Sequence, residues 1–175
     1  MRKLLYIQND IFWLPKGLKA EVETYLSDEL PPLELCTSVY ALVFKNRALL
    51  QTDLREGERP TRRLDILGGH IDKDEMPEQS VIRETFEEIG VCVQTPKLVA
   101  YKKITIHTPK PNGYRYAYPI SYMLYYLCDI SKETVFDGNN ETHGRVWLNP
   151  IEFCKSLWYV NDKIMVDEII KKYKK

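Results

Sequence analysis

The run from Glu75 to Val91 constrains this 175-residue chain more than any other segment. Pro77 suits a first helical turn, Asp74 or Glu75 can cap it, and Gly90 suits its end, so the spacing predicts a helix over 75–89. At about 100° per residue, Glu84, Glu87 and Glu88 fall on one face, and Val81, Ile82, Thr85, Phe86 and Ile89 on the other. The apolar face needs a sheet to pack against. Like charges one turn apart destabilise a helix by about 0.2–0.5 kcal/mol per pair, and the one obvious local counter-charge is Arg83, four residues before Glu87. The acidic face needs either solvent or a cation. A solvated face is the plainer reading of three glutamates alone. Mg²⁺ is the cation that suits them, because it binds a few carboxylates and keeps room for water and phosphate oxygens.

The rest of the chain supplies that sheet. Cys36 to Phe44 is apolar on both alternating faces, as in a strand buried on two sides. A turn at 45–47 leads to a second strand at 48–51, and a charged loop at 53–63 runs into Leu64-Asp65-Ile66-Leu67-Gly68-Gly69. Strands are predicted at 91–94, 97–107, 117–129 and 143–148, with loops at 108–116 and 131–142. Asn149-Pro150 opens a short helix, and Asp162 to Lys172 reads as a terminal amphipathic one. Near the N-terminus, Leu18, Val22, Tyr25 and Leu26 have helical spacing and predict a packing helix between Gly17 and Leu30, stopped by Pro31-Pro32. Strands on both sides of one strong helix, with another helix at the end, give an α/β (α+β) class: α/β/α layers around a mixed sheet. Residues 1–33 are read as an N-terminal extension packing on the core, and 34–175 as the main domain with its C-terminal helix.

The 25 basic and 25 acidic residues cancel, which argues against a general nucleic-acid binder. Cys36, Cys92, Cys128 and Cys154 form no C-x-x-C pair and have no zinc spacing; each lies in an apolar run and is read as a buried free thiol. The apolar stretch at the N-terminus is cut short by Gln8-Asn9-Asp10, and no run approaches the roughly 18 residues of a membrane span. A soluble, cytoplasmic protein without membrane or nucleic-acid partners is expected.

The segment Gly69 to Val91 resembles the Nudix box: Gly, five residues, Glu, seven residues, Arg-Glu, an aliphatic, any residue, Glu-Glu, any residue, Gly, aliphatic. Gly69, Glu75, Arg83, Glu84, Glu87, Glu88 and Gly90 match all seven fixed positions, over 23 of 175 residues. With each residue type near 6–7% of average proteins, a chance match is on the order of one in 10⁸ per window. Thr85 departs from the usual aliphatic, but its methyl can pack and its hydroxyl can bond the Val81 carbonyl. Leu67 stands where the family often has proline.

The resemblance implies a Nudix-like sandwich and a pyrophosphohydrolase. Glu84, Glu87 and Glu88 become metal ligands, with a carbonyl near Gly69, and Mg²⁺ the ion, for which Mn²⁺ can substitute. Arg83 would orient the carboxylates and Glu75 would brace the loop. The general base is Glu88 or Glu141, the latter in the loop before Trp147. The substrate is a small molecule, a nucleotide or another diphosphate. Arg55, Arg59, Arg62 and Arg63 lie in the charged loop, with Arg62 and Arg63 assigned to phosphates. Tyr114 and Tyr116 are the stacking candidates, whereas Tyr118 and Tyr122 are assigned to one strand face and the core. Three alternatives stand beside the hydrolase. A non-catalytic nucleotide-binding sensor or adaptor would typically lack box carboxylates, and an isomerase acting on isopentenyl diphosphate would need an acid–thiol pair. A nucleic-acid-binding module would bind RNA in a salt-dependent way. A homodimer involving the N-terminal extension is left open.

Overall fold

The two-sided apolar run forms β3 (Cys36–Lys45), the middle of a mixed sheet. The computed structural model describes residues 2–9, 11, 14, 17–55 and 64–173. Along one edge β3 pairs in parallel with β8 (Ile120–Glu133). Along the other it pairs antiparallel with β6 (Leu67–His70) over its first half and with β4 (Ala48–Leu54) at its end. β4 continues to β5 (Leu64–Asp65) and to β9 (Thr142–Leu148). On the far side, β8 pairs with β7 (Val91–Ile106), β7 with β2 (Ala20–Leu26), and β2 with β1 (Lys3–Gln8), all antiparallel. Among the described residues the sheet has nine strands.

Helix α1 (Pro77–Ile89) covers one face and α3 (Leu157–Tyr173) the other, with the short α2 (Pro150–Phe153) leading into α3. Alternation along β3 explains the two layers. Val39, Ala41 and Val43 join Val81 and Ile89 of α1 in one core. Leu42 joins Trp158, Met165, Val166 and Ile169 of α3 in the other. Fully burying an aliphatic side chain of this kind contributes about 1.5–3 kcal/mol. No helix among the described residues is long and apolar enough to cross a membrane.

Four expectations from the sequence need correction. The segment expected to form a helix between Gly17 and Leu30 contains β2 instead. Its inward residues Ala20, Val22, Thr24 and Leu26 alternate strictly with half-buried ones, and pairing with β7 outweighs the helical spacing. The strands expected at 91–94 and 97–107 are one strand, with a register shift between Gln94 and Lys97 and a positive φ at Thr95. Ile82 and Phe86 are 37% and 49% exposed, so α1 buries a narrower stripe than expected. All four cysteines are free thiols, yet only Cys128 is buried; Cys36 and Cys92 are half-buried and Cys154 is exposed.

Candidate active site

Helix α1 has its N-cap at Met76, not at Asp74 or Glu75: Met76 holds extended backbone, and its N–H donates to Gln79 Oε1 at 3.0 Å. Glu75 is engaged elsewhere. It accepts two bonds from Arg83, Nε to Oε1 and Nη2 to Oε2, each 2.9 Å, and a third from the Asp72 N–H at 3.1 Å. The Arg83 guanidinium holds the Glu75 carboxyl at a pKa of about 2. Arg83 Nη1 also donates to Glu84 at 2.9 Å and to Glu87 at 3.0 Å, and Nη2 to the His70 carbonyl at 3.1 Å. One guanidinium therefore ties the loop before α1 to two carboxylates on it. The helix stops at Gly90, whose φ of 66° is left-handed.

The three glutamates do not stand side by side. Glu87 is exposed. Glu84 presses against Gly69, where an added methyl would sit 2.5 Å from its carboxylate. Glu88 turns inward, accepting from the Gly68 N–H at 3.0 Å and the Thr52 hydroxyl at 3.3 Å. Burial, helped by the carboxylates of Glu84 and Asp65 and opposed by the Gly68 N–H, pushes Glu88 up to about 8. Burial also raises Glu84, against the pull of Arg83. Among the described residues no three His, Cys, Asp or Glu side chains already converge as a metal cage. Arg83 spanning Glu84 and Glu87 accounts for their present arrangement.

Beside Glu88 opens a cavity of about 580 Å³ on the α3 side of the sheet. Gly68, Gly69, Glu88 and Glu141 line one end, and Tyr114 and Tyr116 line its wall. The His70 ring stacks on Tyr116 at 4.9 Å and 12° between planes, and Tyr114 meets Tyr116 edge-on at 5.4 Å.

The NUDIX domain family matches residues 34–167, three-quarters of the chain and the whole of this site. The chain belongs to the Nudix family. No curated protein matches it significantly. Similar solved structures include the Bacillus subtilis pyrophosphohydrolase BsRppH in a mutant form, at 20% identity and TM-score 0.64, covering 87% of this chain and 90% of that one. A MutT NUDIX hydrolase from Burkholderia pseudomallei is 18% identical with TM-score 0.55, covering 75% and 96%. A NUDIX hydrolase from Nitrosomonas europaea is 15% identical with TM-score 0.55, covering 75% and 86%. These likenesses are of fold, and the fold is the α/β/α Nudix sandwich.

Nudix hydrolases generally use divalent metals. The donors here fit such an ion: carboxylates of Glu84 and Glu88 flank the Gly68–Gly69 backbone of β6, and Gly69 leaves the space that Glu84 needs to reach that backbone. Of the residues marked from sequence, Glu88, Glu141, Gly69, Tyr114 and Tyr116 line the cavity, while Arg83 does not line it and is bonded to Glu84 and Glu87. Arg59, Arg62 and Arg63 lie outside the described residues, and Arg55 is bonded to the Asn139 carbonyl. Tyr118 precedes the strand it was assigned to and donates its hydroxyl to the Thr108 carbonyl. Thr85 bonds the Val81 carbonyl at 2.7 Å, as its position suggested. Sequence reasoning missed Thr52, which helps to hold Glu88, and Lys102 and Asp162, which line the cavity far from the box.

Proposed function

We propose that the protein is a Mg²⁺-dependent pyrophosphohydrolase, cleaving a diphosphate linkage in a nucleoside diphosphate derivative or a nucleoside triphosphate, with Mn²⁺ able to substitute. One observation carries the reading: a box with every carboxylate present opens directly into a cavity with aromatic walls.

Glu84, Glu87, Glu88 and the Gly69 carbonyl would hold the ion, which when bound supplies charge neutralisation at the phosphates and a more acidic water. The protein's own residues do the rest. Arg83 sets the rotamers of Glu84 and Glu87 and keeps them from repelling each other. Glu88 is committed to Gly68 and Thr52, a rigid position suited to a ligand. That leaves Glu141, exposed at the cavity wall, as the base we assign to take the proton of the attacking water. Tyr114 and Tyr116 offer ring faces and edges to a nucleobase, and Arg62 and Arg63 are assigned to its phosphates.

The test is hydrolysis of nucleoside triphosphates, ADP-ribose, nucleotide sugars and dinucleoside polyphosphates, each with and without Mg²⁺. Metal-dependent turnover of one class supports the reading. Nucleotide binding that depends on metal, with no turnover anywhere, replaces it with a sensor.

A further inference from the structure

The cavity has a second polar end that the diphosphate chemistry does not use. Lys102 on β7 and His70 on β6 share one cross-strand row, because Lys102 pairs with Met123, Met123 with Ser38, and Ser38 with His70. Opposed residues in paired strands face the same side, and all four line the cavity. Three inter-strand steps of about 4.8 Å separate Lys102 from His70 by roughly 14 Å at the backbone. Over that far end stands α3. Its Asp162 meets the Lys102 ammonium at 2.5 Å, with the two side chains only 6% and 4% exposed. Tyr6 of β1 donates to the same carboxylate oxygen, Oδ1, at 2.9 Å.

A buried ion pair is a poor brace. Desolvation of the two charges offsets most of their attraction, and apolar side chains of similar volume would hold α3 against β7 as well or better. The pair makes more sense as a surface presented to a ligand, and its charges limit which one. An anion would meet the Asp162 carboxylate and a cation the Lys102 ammonium, so neither gains much at that end. An alkyl tail would strip water from both charges and give nothing back. A neutral group carrying an acceptor beside a donor satisfies both, the acceptor facing Lys102 and the donor facing Asp162. Nucleobase edges have that pattern, and a planar base also suits the Tyr114 and Tyr116 wall.

We propose that Lys102 and Asp162 are specificity determinants, reading the edge of a nucleobase whose phosphates lie at Gly69 and Glu88. This rests on the hydrolase reading above and adds what the site selects.

Binding tests it without requiring turnover. The protein is titrated calorimetrically, in Mg²⁺, with the common nucleoside 5′-monophosphates and with ribose 5-phosphate, which lacks the base. At least one nucleotide should bind about tenfold or more tightly than ribose 5-phosphate. Lys102→Met combined with Asp162→Leu leaves no charge unpaired; it should bring that ratio close to one and leave ribose 5-phosphate binding as before. Should the double variant not fold, Lys102→Gln combined with Asp162→Asn, which also leaves no charge unpaired, carries the test. It keeps the shape of the Asp162 side chain and the acceptor for Tyr6 but alters the donor–acceptor pattern, and it should change which base is preferred. A wild-type ratio near one overturns the proposal, as does an unchanged ratio or preference in a cooperatively melting variant, even where diphosphate hydrolysis is observed. Base-selective binding lost in the variants, in a protein that hydrolyses no diphosphate, would support the pair's role and refute the hydrolase.

Discussion

Arg83 grips Glu75 across eight residues with two parallel hydrogen bonds of 2.9 Å each, while its Nη1 reaches both Glu84 and Glu87. A lysine has the charge but not the planar fork, so it cannot make these contacts together. Arg83→Lys should destabilise the protein by about 1.5–3 kcal/mol, the range for hydrogen bonds to charged groups. It should also weaken Mg²⁺-dependent turnover, because Glu84 and Glu87 lose their common anchor. Urea denaturation gives the first quantity; a midpoint equal to wild type would mean that the clamp adds no stability.

The same contact makes stability depend on acid. Arg83 holds the folded Glu75 pKa at about 2, below the roughly 4.3 of an unfolded glutamate. A depressed carboxyl contributes stability that is fully present above its unfolded pKa and is lost as pH falls through the folded one. The Glu75 contribution should therefore be intact above about pH 5 and fade between about pH 4.5 and 2. Denaturation midpoints measured across that window should fall less steeply for Glu75→Gln than for wild type. Superimposable acid limbs would contradict the assignment.

Gly69 is small because Glu84 needs its space. A methyl there would lie 2.5 Å from the Glu84 carboxylate, the free end of a flexible side chain. Gly69→Ala should therefore displace Glu84 while leaving the fold cooperative. The expected result is a loss of turnover and a higher Mg²⁺ requirement, with a melting temperature close to wild type. A mutant that melts normally and hydrolyses at the wild-type rate would show that the position of Glu84 does not matter.

The box was legible because helix periodicity and fixed spacing both concern residues close in sequence. Gly90, Pro77 and the Arg83–Glu87 contact follow from rules that act within one or two turns. What lay beyond the sequence depended on the sheet. Glu88 turns away from Glu87 because the Gly68 N–H and the Thr52 hydroxyl, from β6 and β4, capture it. The segment Ala20–Leu26 satisfies both a helical and an alternating pattern, and only the neighbouring β7 decides between them. Lys102 and Asp162 are 60 residues apart and meet only because α3 crosses the face of β7. Arg62 and Arg63 lie outside the described residues, so their assignment still rests on sequence.

The most direct test of the account compares wild type, Glu88→Gln and Glu141→Gln in one assay of Mg²⁺-dependent hydrolysis, with Mg²⁺ binding measured alongside. Glu88→Gln keeps an acceptor for Gly68 but loses a ligand charge, so it should fold, bind Mg²⁺ weakly and lose turnover. Glu141→Gln should bind Mg²⁺ as wild type does yet turn over about 10²–10⁴ times more slowly, the usual worth of a general base. Wild-type turnover in Glu88→Gln, or an undiminished rate in Glu141→Gln, would contradict the roles assigned to these two carboxylates.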